Sequence, residues 1–226
     1  FNKVLSSAMD AANRYDRAIS IMYDLSGMNV GEEELLLSDI QKLAKEYSLF
    51  EHKNNPSYLY HNGRPLVAVW GVGFNDHRRY GLVEANKIVD GLKKMGFSVL
   101  LGVPTHWRKL GEDTEPDSGL HDLIRKCDVV MPWFVGRYNE ENYPTFHSLI
   151  KQDIAWAKKN KVDYAPLCYA GFSWHNMHYP HKGTFFVKRN KGSFFKKQLD
   201  FTIENGAKML YIAMFDEIDE GTAIYK

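Results

Sequence analysis

Apolar runs, each followed by a helix-forming segment, recur along most of this chain and limit its possible folds more than any other feature. The runs begin near residues 66, 97, 128, 162 and 207. All but the last precede a segment with helical spacing, so the repeating unit is roughly 30 residues long. The run over 66–74 is apolar throughout except for its glycines, as expected of a strand buried on both faces. The repeat therefore predicts an α/β protein with a parallel sheet.

Two architectures fit such a repeat, a closed barrel and an open doubly wound sheet. The open sheet usually carries a GxGxxG phosphate loop, and the candidate here, Gly71-Val72-Gly73, lacks the third glycine. We therefore predict a (β/α)8 TIM barrel. A further strand over 17–24 brings the count to six, whereas eight strands close a barrel of this type. We expect one catalytic barrel domain over residues 1–226, with its first two βα units outside this chain and its C-terminus also incomplete.

The balance of charges narrows the possible partners. Lys and Arg together number 29, and Asp and Glu 28, so no excess charge indicates nucleic acid or a membrane surface. Cys127 and Cys168 lie in separate segments without a CxxC motif, so we predict neither a cysteine metal site nor a disulfide framework. No run reaches the ~18 apolar residues of a membrane helix. We predict a protein with no nucleic-acid partner and no membrane span.

Polar and aromatic side chains follow the predicted strands, where an α/β barrel carries its chemistry. Aromatic faces can stack on the C–H faces of sugar rings, and carboxylates, amides and imidazoles can bind hydroxyl groups. Tryptophans can equally fill the barrel interior, and for Trp70, inside its apolar run, we favour that interpretation. For Trp107, Trp133 and Trp174, each beside a polar cluster, we favour a pocket. The candidate substrate-binding residues are Asp24, Asn75, Asp76, His106, Trp107, Trp133, Arg137, Tyr138, Trp174 and His175.

Four carboxylates follow the last predicted strand: Asp216, Glu217, Asp219 and Glu220. Glycosidic cleavage commonly uses one carboxylic acid to protonate the leaving oxygen and a second carboxylate as its partner. Neighbouring acids also separate each other's pKa values, which yields one proton donor and one base. An acidic turn in solvent explains the same cluster equally well. Strand alternation does not decide which acids face the barrel axis, because both alternating sets in the preceding strand are apolar.

Two other chemistries have weaker signals. His175, His178 and His181 recur every three residues, but Pro180 interrupts a helix there, and neither an HExxH motif nor a nearby acid supports a metal site. No serine lies in a GxSxG elbow, which argues against a hydrolase of that class. We predict no metal and no cofactor.

Several segments resemble glycoside hydrolase family 99 and the related family 71/99-like proteins of bacteria. The most specific is the final Glu-x-x-Glu-Gly-Thr, residues 217–222. The resemblance covers nearly the whole chain and implies a (β/α)8 barrel that acts on α-linked, mannose-type glycans, often as an endo-enzyme. The other matching segments are Ile21-Met-Tyr-Asp-Leu-Ser-Gly27, Val69-Trp-Gly-Val-Gly-Phe74, Gly102-Val-Pro-Thr-His-Trp-Arg108, Pro132-Trp-Phe-Val-Gly-Arg-Tyr138 and Gly171-Phe-Ser-Trp-His-Asn176.

The resemblance also implies roles for two glutamates. In that family the first glutamate of the final motif assists the sugar's own 2-hydroxyl through an anhydro-sugar intermediate, and the second is the general acid at the leaving oxygen. By this resemblance Glu217 is the base and Glu220 the acid. The chain departs from the family at Asp216-Glu217-Ile218, where family members carry an Asn-Glu-Trp-like lead-in. This departure bears on the substrate more than on the reaction type.

These implications lead to one main expectation and one alternative. The main expectation is a metal-independent, retaining glycoside hydrolase with a glycan substrate, acting as a monomer. The resemblance also implies an extracytoplasmic location, whether periplasmic, cell-surface or secreted. The alternative is a non-catalytic carbohydrate-binding protein on a degenerate barrel.

Overall fold

Parallel strands separated by helices form the centre of the fold, in a computed structural model that describes residues 2–180 and 185–225. In chain order the strands are β1 (Ile21–Asp24), β2 (Tyr60–His61), β3 (Arg64–Trp70), β4 (Ser98–Val103), β5 (Val129–Pro132), β6 (Asp163–Tyr164), β7 (Leu167–Tyr169), β8 (Phe172–Ser173), β9 (Phe186–Val187) and β10 (Tyr211–Ala213). Five of them form a parallel sheet in the order β1-β3-β4-β5-β6, and β2 pairs antiparallel with β3. The predicted parallel sheet is confirmed.

The apolar run that begins near residue 162 forms two short strands rather than one. Pro166 lies between β6 and β7 and has no N–H to donate to a neighbouring strand. β7 instead pairs in parallel with β10, where the Tyr211 N–H donates to the Pro166 carbonyl at 2.9 Å. In the described ranges no strand pairing joins β10 to β1. Closure by eight strands, and the two further βα units, therefore remain predictions.

The predicted helices are confirmed, and the structure adds one short helix over Trp174–Met177 that was not predicted. They are α1 (Asn2–Tyr15), α2 (Glu33–Glu46), α3 (Leu82–Met95), α4 (Gly119–Lys126), α5 (Tyr143–Lys159), α6 (Trp174–Met177) and α7 (Ser193–Glu204), with a 3-10 turn at Asn190–Gly192. Helix α3 ends at Met95 and is followed by Gly96, whose left-handed backbone (φ 99°) is the conformation that a helix C-terminus favours and that glycine adopts without strain. None of the helices that the structure describes is long and apolar enough to cross a membrane.

Both faces of the central strands are buried, which explains their continuous apolar sequence. Val67 and Val69 of β3 belong to a core cluster shared with helices α2, α3 and α4. Leu66 and Ala68, which alternate with them, belong to a second cluster shared with α5 and α7. We call the face of the sheet that carries the side chains of Leu66 and Ala68 the inner face.

Strands β1 and β10, which belong to different sheets, contact each other on this inner face. The Tyr211 hydroxyl of β10 lies 3.9 Å from the Met22 sulfur of β1. Met22 pairs in register with Ala68, whose side chain lies on the inner face. The inner face of the larger sheet and the β7–β10 pair are therefore close to each other at β1 and β10.

A glycine on β4 makes room for tryptophans on the inner face. Gly102 is in register with Trp70, and a Cβ added at Gly102 would lie 2.5 Å from Trp70 Cδ1 and 3.1 Å from Trp70 Cα. The Trp70 ring lies 5.1 Å, centroid to centroid, from the ring of Trp133, which follows β5. Trp70 is partly buried and packs on the inner face, and its role in filling the interior of a closed barrel remains a prediction.

We expect Gly102→Ala to lower the free energy of unfolding by about 1–3 kcal/mol, because the new methyl group must displace Trp70 or its strand. Gly111→Ala is the matched control, since nothing in the described residues lies within 4 Å of a Cβ placed there. Urea unfolding followed by tryptophan fluorescence measures both. Equal stability of the two variants would show that the inner face has space to spare.

Candidate active site

The predicted acids lie in a closed loop at the carboxyl end of β10, residues 214–225, which we call the carboxylate loop. Its two ends are joined by hydrogen bonds from the Ile224 N–H to the Met214 carbonyl (3.0 Å) and from the Tyr225 N–H to the Phe215 carbonyl (2.9 Å). Within it the Ala223 N–H donates to the Glu217 carbonyl at 3.2 Å. These bonds hold the four acids in a compact turn beyond the strand.

The structure shows which of the two alternating sets of side chains in β10 faces the core. Ala213 is fully buried and Tyr211 packs in the inner-face cluster, whereas Ile212 is 39% exposed. Tyr211 and Ala213 therefore face the interior. Of the four acids only Glu220 is partly buried, and Asp216, Glu217 and Asp219 are exposed.

The carboxyl group of Glu220 lies in a partly buried environment. Its Oε2 atom is buried and has no hydrogen-bond partner among the described residues. Burial raises the pKa of Glu220, the negative charge of Glu217 raises it further, and the Thr222 hydroxyl opposes them in part. Glu220 thus keeps its proton to a higher pH than an ordinary glutamic acid, which is the property of a proton donor.

Residues of the β8–β9 hairpin and the turn after it hold the carboxylate loop in place. The Ser173 N–H donates to the Glu220 carbonyl at 2.7 Å. The Arg189 guanidinium donates to the carbonyls of Gly221, at 2.9 Å, and Ala223. Gly221 has φ +70°, and a Cβ there would lie 3.1 Å from the Ser173 Cβ, so a larger residue would push the loop off the hairpin.

An aromatic surface lies beside the carboxylate loop on the inner face. The ring centroids of Trp133 and Tyr211 are 6.3 Å apart, and Trp133 is partly exposed, as a pocket residue would be. Burial is the main reason that the pKa of Tyr211 is raised, and the charges of Glu217 and Glu220 add to it. Tyr211 was not among the candidates, because its apolar neighbours make it indistinguishable in sequence from a core residue.

The loop after β3 carries the candidate residue Asp76, which forms an ion pair within the loop. Asp76 binds Arg78 through two contacts, Nε to Oδ1 at 2.8 Å and Nη2 to Oδ2 at 3.0 Å. The same guanidinium lies 4.6 Å from the Phe74 ring centroid and donates to the Tyr80 hydroxyl at 2.8 Å. Both carboxylate oxygens of Asp76 are therefore already bound by Arg78.

Asn75 and Asp24 are candidate residues on two further loops. Both side chains are exposed. Asp24, the last residue of β1, accepts a hydrogen bond from the Ser26 N–H at 2.7 Å through Oδ1.

The loops after β4 and β5 meet at a residue that the sequence did not single out, Asp113. Its carboxylate lies 3.0 Å from His106 Nδ1 and 3.2 Å from Arg137 Nη2. The structure thus brings together the two candidates His106 and Arg137. Asp113 was missed because it lies in a loop of charged and turn-forming residues, seven residues from His106, where no strand or helix period marks it.

The prediction that Trp107 and Tyr138 line a pocket is wrong. Trp107 is 0% exposed, and its ring packs edge-on against Trp156 of α5 at 4.8 Å. Tyr138 is 2% exposed, packs on Tyr143 at 4.7 Å and donates to Gln198 Oε1 at 3.2 Å. Both loops fold back against helices, so these aromatic residues join the core and leave no face for a ligand.

Trp174 and His175 lie on α6, where Trp174 is 45% exposed. The Trp174 ring stacks on His178 at 4.0 Å, so one of its faces is already covered. His181, the third histidine of the weak metal pattern, lies outside the described residues. Within 2–180 and 185–225, no group of three or more His, Cys, Asp or Glu side chains is placed to hold a metal ion.

No protein-family model and no curated protein matches the sequence. Solved structures do match the fold. The chain aligns with the GH99 endo-alpha-mannosidase from Bacteroides thetaiotaomicron with a TM-score of 0.71 and 18% identity, over 97% of this chain and 59% of that chain. A second structure of that enzyme, in complex with bis-tris propane, gives 0.70 and 17%, over 99% and 64%. A glycoside hydrolase-like protein gives 0.57 and 14%, over 89% and 56%.

The chain spans less than two thirds of the length of each of these structures, between 56% and 64%. Identities of 14–18% show likeness of fold and leave the activity open. The chain therefore has a GH99-like α/β fold, with the carboxylate loop at the carboxyl end of its last strand.

Proposed function

We propose that this protein is a glycoside hydrolase that cleaves an α-linked, mannose-type glycan with retention of configuration, using Glu217 as base and Glu220 as acid. The observation that carries the proposal is the buried, unpartnered carboxyl oxygen of Glu220 beside Glu217. The fold that it shares with a GH99 endo-alpha-mannosidase supports the same class of reaction.

Each glutamate has a distinct task in the proposed first step. Glu217, which is exposed, takes the proton from the sugar's 2-hydroxyl, and the freed oxygen attacks the anomeric carbon to form a 1,2-anhydro sugar. The bond from the anomeric carbon to the leaving oxygen breaks, and Glu220 gives its proton to that oxygen. Water then opens the anhydro sugar, with the protons returned in reverse. Two inversions at the same carbon give net retention.

The aromatic surface supports a sugar as the ligand. The partly exposed Trp133 presents a ring beside Tyr211, and such faces stack on the C–H groups of pyranose rings. A mannose unit held there would lie next to the carboxylate loop. This placement favours a glycan over a small acyl or phosphoryl substrate.

Product analysis tests the proposal directly. The protein is incubated with α-linked manno-oligosaccharides, chromatography follows the products, and proton NMR identifies the first anomer released. We expect shorter oligosaccharides with the α-anomer first. The binding alternative predicts a calorimetric signal with every oligosaccharide unchanged after long incubation, and release of the β-anomer would remove the retaining mechanism.

We expect hydrolysis to fall on the alkaline side as Glu220 loses its proton, at a pH above the usual range for glutamic acid. Glu217→Gln removes a neighbouring negative charge, so the pKa of Glu220 should decrease. It should stay above its ordinary value, because burial is the larger cause of the shift. Carbon-13 NMR of labelled glutamate carboxyls measures this titration, with Asp219→Asn as the control. An unchanged Glu220 titration in Glu217→Gln would separate the two groups and contradict the pairing.

A further inference from the structure

Asp113 gathers four donors from two loops onto one carboxylate. Its Oδ2 accepts from the Thr105 N–H at 3.0 Å and lies 3.2 Å from Arg137 Nη2. Its Oδ1 accepts from the His106 N–H at 3.0 Å and lies 3.0 Å from His106 Nδ1. The first loop follows β4 and the second follows β5, so Asp113 ties together the carboxyl ends of two adjacent strands.

The same network reaches the aromatic surface of the candidate site. Thr105 is fully buried, and its hydroxyl donates to the Trp133 carbonyl at 2.8 Å. The Trp133 N–H donates to the Val103 carbonyl at 2.8 Å, which fixes the residue at the end of β5. The Trp133 ring contacts Tyr211, six residues before Glu217. Asp113 is thus linked, through Thr105, to the aromatic surface of Trp133 and Tyr211 beside the carboxylate loop.

We call the group formed by His106, Glu112, Asp113 and Arg137 the rim of the site. Its charges limit the kind of ligand that it can accept. Arg137 is 41% exposed on its side chain, and Asp113 balances its positive charge. His106 Nε2 lies 3.3 Å from Glu112, a second carboxylate, which is 71% exposed. Both ring nitrogens of His106 therefore face carboxylates, and the exposed donor of the rim is the Arg137 guanidinium, whose positive charge Asp113 balances.

We propose that Asp113, itself held by His106 and Thr105, is a positioning residue that fixes Arg137 as a donor to the hydroxyl groups of a neutral glycan, and that its charge disfavours anionic glycans there. This inference rests on the proposed function, because it specifies the substrate of the same site. A phosphate or sulfate group at this rim would face Asp113 and Glu112, and the repulsion would offset its attraction to Arg137. A sugar hydroxyl both donates and accepts, so it can use the donors and the carboxylates together.

The ionisation of Asp113 agrees with this arrangement. Burial opposes ionisation and is the largest single influence on the group. The His106 and Thr105 N–H groups, the Arg137 charge and the His106 side chain together outweigh it, and the pKa of Asp113 is lowered. Asp113 is therefore a carboxylate at neutral pH, and its asparagine analogue would lose both the charge and part of the acceptor capacity.

The test uses calorimetry to measure the affinity of the protein for two probes, in a Glu220→Gln background that prevents turnover. The probes are a neutral α-linked manno-oligosaccharide and the same oligosaccharide carrying one phosphate monoester. We expect Asp113→Asn to weaken binding of the neutral probe at least about tenfold, in line with the loss of charged hydrogen bonds, and to narrow its advantage over the phosphorylated probe. Asp122→Asn removes an exposed acid of α4 that pairs with Arg125, so it controls for net charge. An unchanged preference between the probes in Asp113→Asn would overturn the inference.

A merely structural role for Asp113 makes a different prediction. In that case Asp113→Asn would lower the melting temperature, and Arg137→Ala would weaken binding equally with or without Asp113. If Asp113 positions Arg137, the effect of Arg137→Ala should shrink in the Asp113→Asn background. The loss should also appear mainly in KM of the active enzyme rather than in kcat.

The two proposals fail in distinguishable ways. A wild-type protein that hydrolyses the neutral probe, while Asp113→Asn binds and discriminates as the wild type does, overturns the positioning role and leaves the proposed function intact. A wild-type protein that releases no product, but binds the neutral probe with an affinity that depends on Asp113, overturns the hydrolase and leaves the neutral-glycan subsite.

Discussion

Glu220→Gln should lower the hydrolysis of α-linked manno-oligosaccharides by about 10²–10⁴-fold, the range usual for loss of a general acid. Glutamine has nearly the same shape as glutamic acid but gives no proton to the leaving oxygen. The substrate should still bind, because the aromatic surface and the rim at Asp113 are untouched. The loss should therefore appear in kcat.

The same substitution should leave the melting temperature unchanged or raise it at neutral and higher pH. The pKa of Glu220 is raised in the folded protein, so its contribution to stability is present at low pH and is lost as the pH rises through that pKa. Glutamine removes this loss, since it never becomes charged. A site that is improved in stability and disabled in activity by one substitution is typical of a functional residue.

Asp219→Asn is the matched control, because Asp219 lies in the same carboxylate loop and is exposed. We expect it to retain hydrolysis close to the wild-type rate. Single-turnover kinetics and thermal melts on both variants give the comparison. Full activity in Glu220→Gln, or equal losses in the two variants, would reduce the four acids to a solvated turn.

Arg108→Ala should have the largest effect on stability, about 3–5 kcal/mol, because it leaves a buried carboxylate without its counter-charge. Asp153 of α5 is 0% exposed and accepts from Arg108 Nε at 2.7 Å. The pair fastens the loop after β4, which also carries His106, to helix α5. Urea unfolding at pH 8 measures the loss.

The effect of Arg108→Ala should depend on pH in a defined direction. Burial raises the pKa of Asp153 to about 7, and Arg108 opposes that rise. Because the folded pKa is higher than the unfolded value of about 4, the Asp153 contribution to stability is present below pH ~4 and is lost as the pH rises through about 7. Without Arg108 the carboxyl takes up a proton more readily, so the variant should be less impaired at pH 5 than at pH 8.

Arg125→Ala is the control for this pair. Arg125 binds Asp122 at 2.6 Å, donates to Asn160 Oδ1 at 2.9 Å and lies over the Trp156 ring. Its removal leaves no buried charge unpaired, so we expect a loss of only about 1–2 kcal/mol. Adding Asp153→Asn to Arg108→Ala should restore much of the stability at pH 8. A loss in Arg108→Ala no larger than that in Arg125→Ala would contradict the account of a buried charge.

Local pattern was sufficient for the parallel sheet and insufficient for the site. The apolar runs of β3, β4 and β5 are long enough that burial on both faces can be read from them. Trp107 and Trp133, in contrast, have the same local signature, a tryptophan after a strand beside polar residues. Their positions differ because the Trp107 ring packs against Trp156 of α5, whereas the Trp133 ring lies on the inner face beside Trp70 and Tyr211. These contacts are made by residues far away in sequence. Pattern has no access to such contacts.

The two glutamates illustrate the same limit. Their spacing marked them as a possible pair, and the resemblance assigned their roles. The burial of Glu220 depends on β8 and Arg189, whose contacts with the loop come from segments more than 30 residues earlier. Asp113 is a similar case, since its importance lies in where two loops meet.

The contact between Tyr211 and Met22 joins residues 189 positions apart. Closing a loop of that length costs conformational entropy, so we expect the contact to form late, after the intervening strand–helix units are in place. We expect the aromatic surface beside Glu217 and Glu220 to be among the last parts of the molecule to assemble during refolding. Chains that have already gained their helices should therefore still lack a working site, and recovery of activity should lag behind recovery of helical circular dichroism.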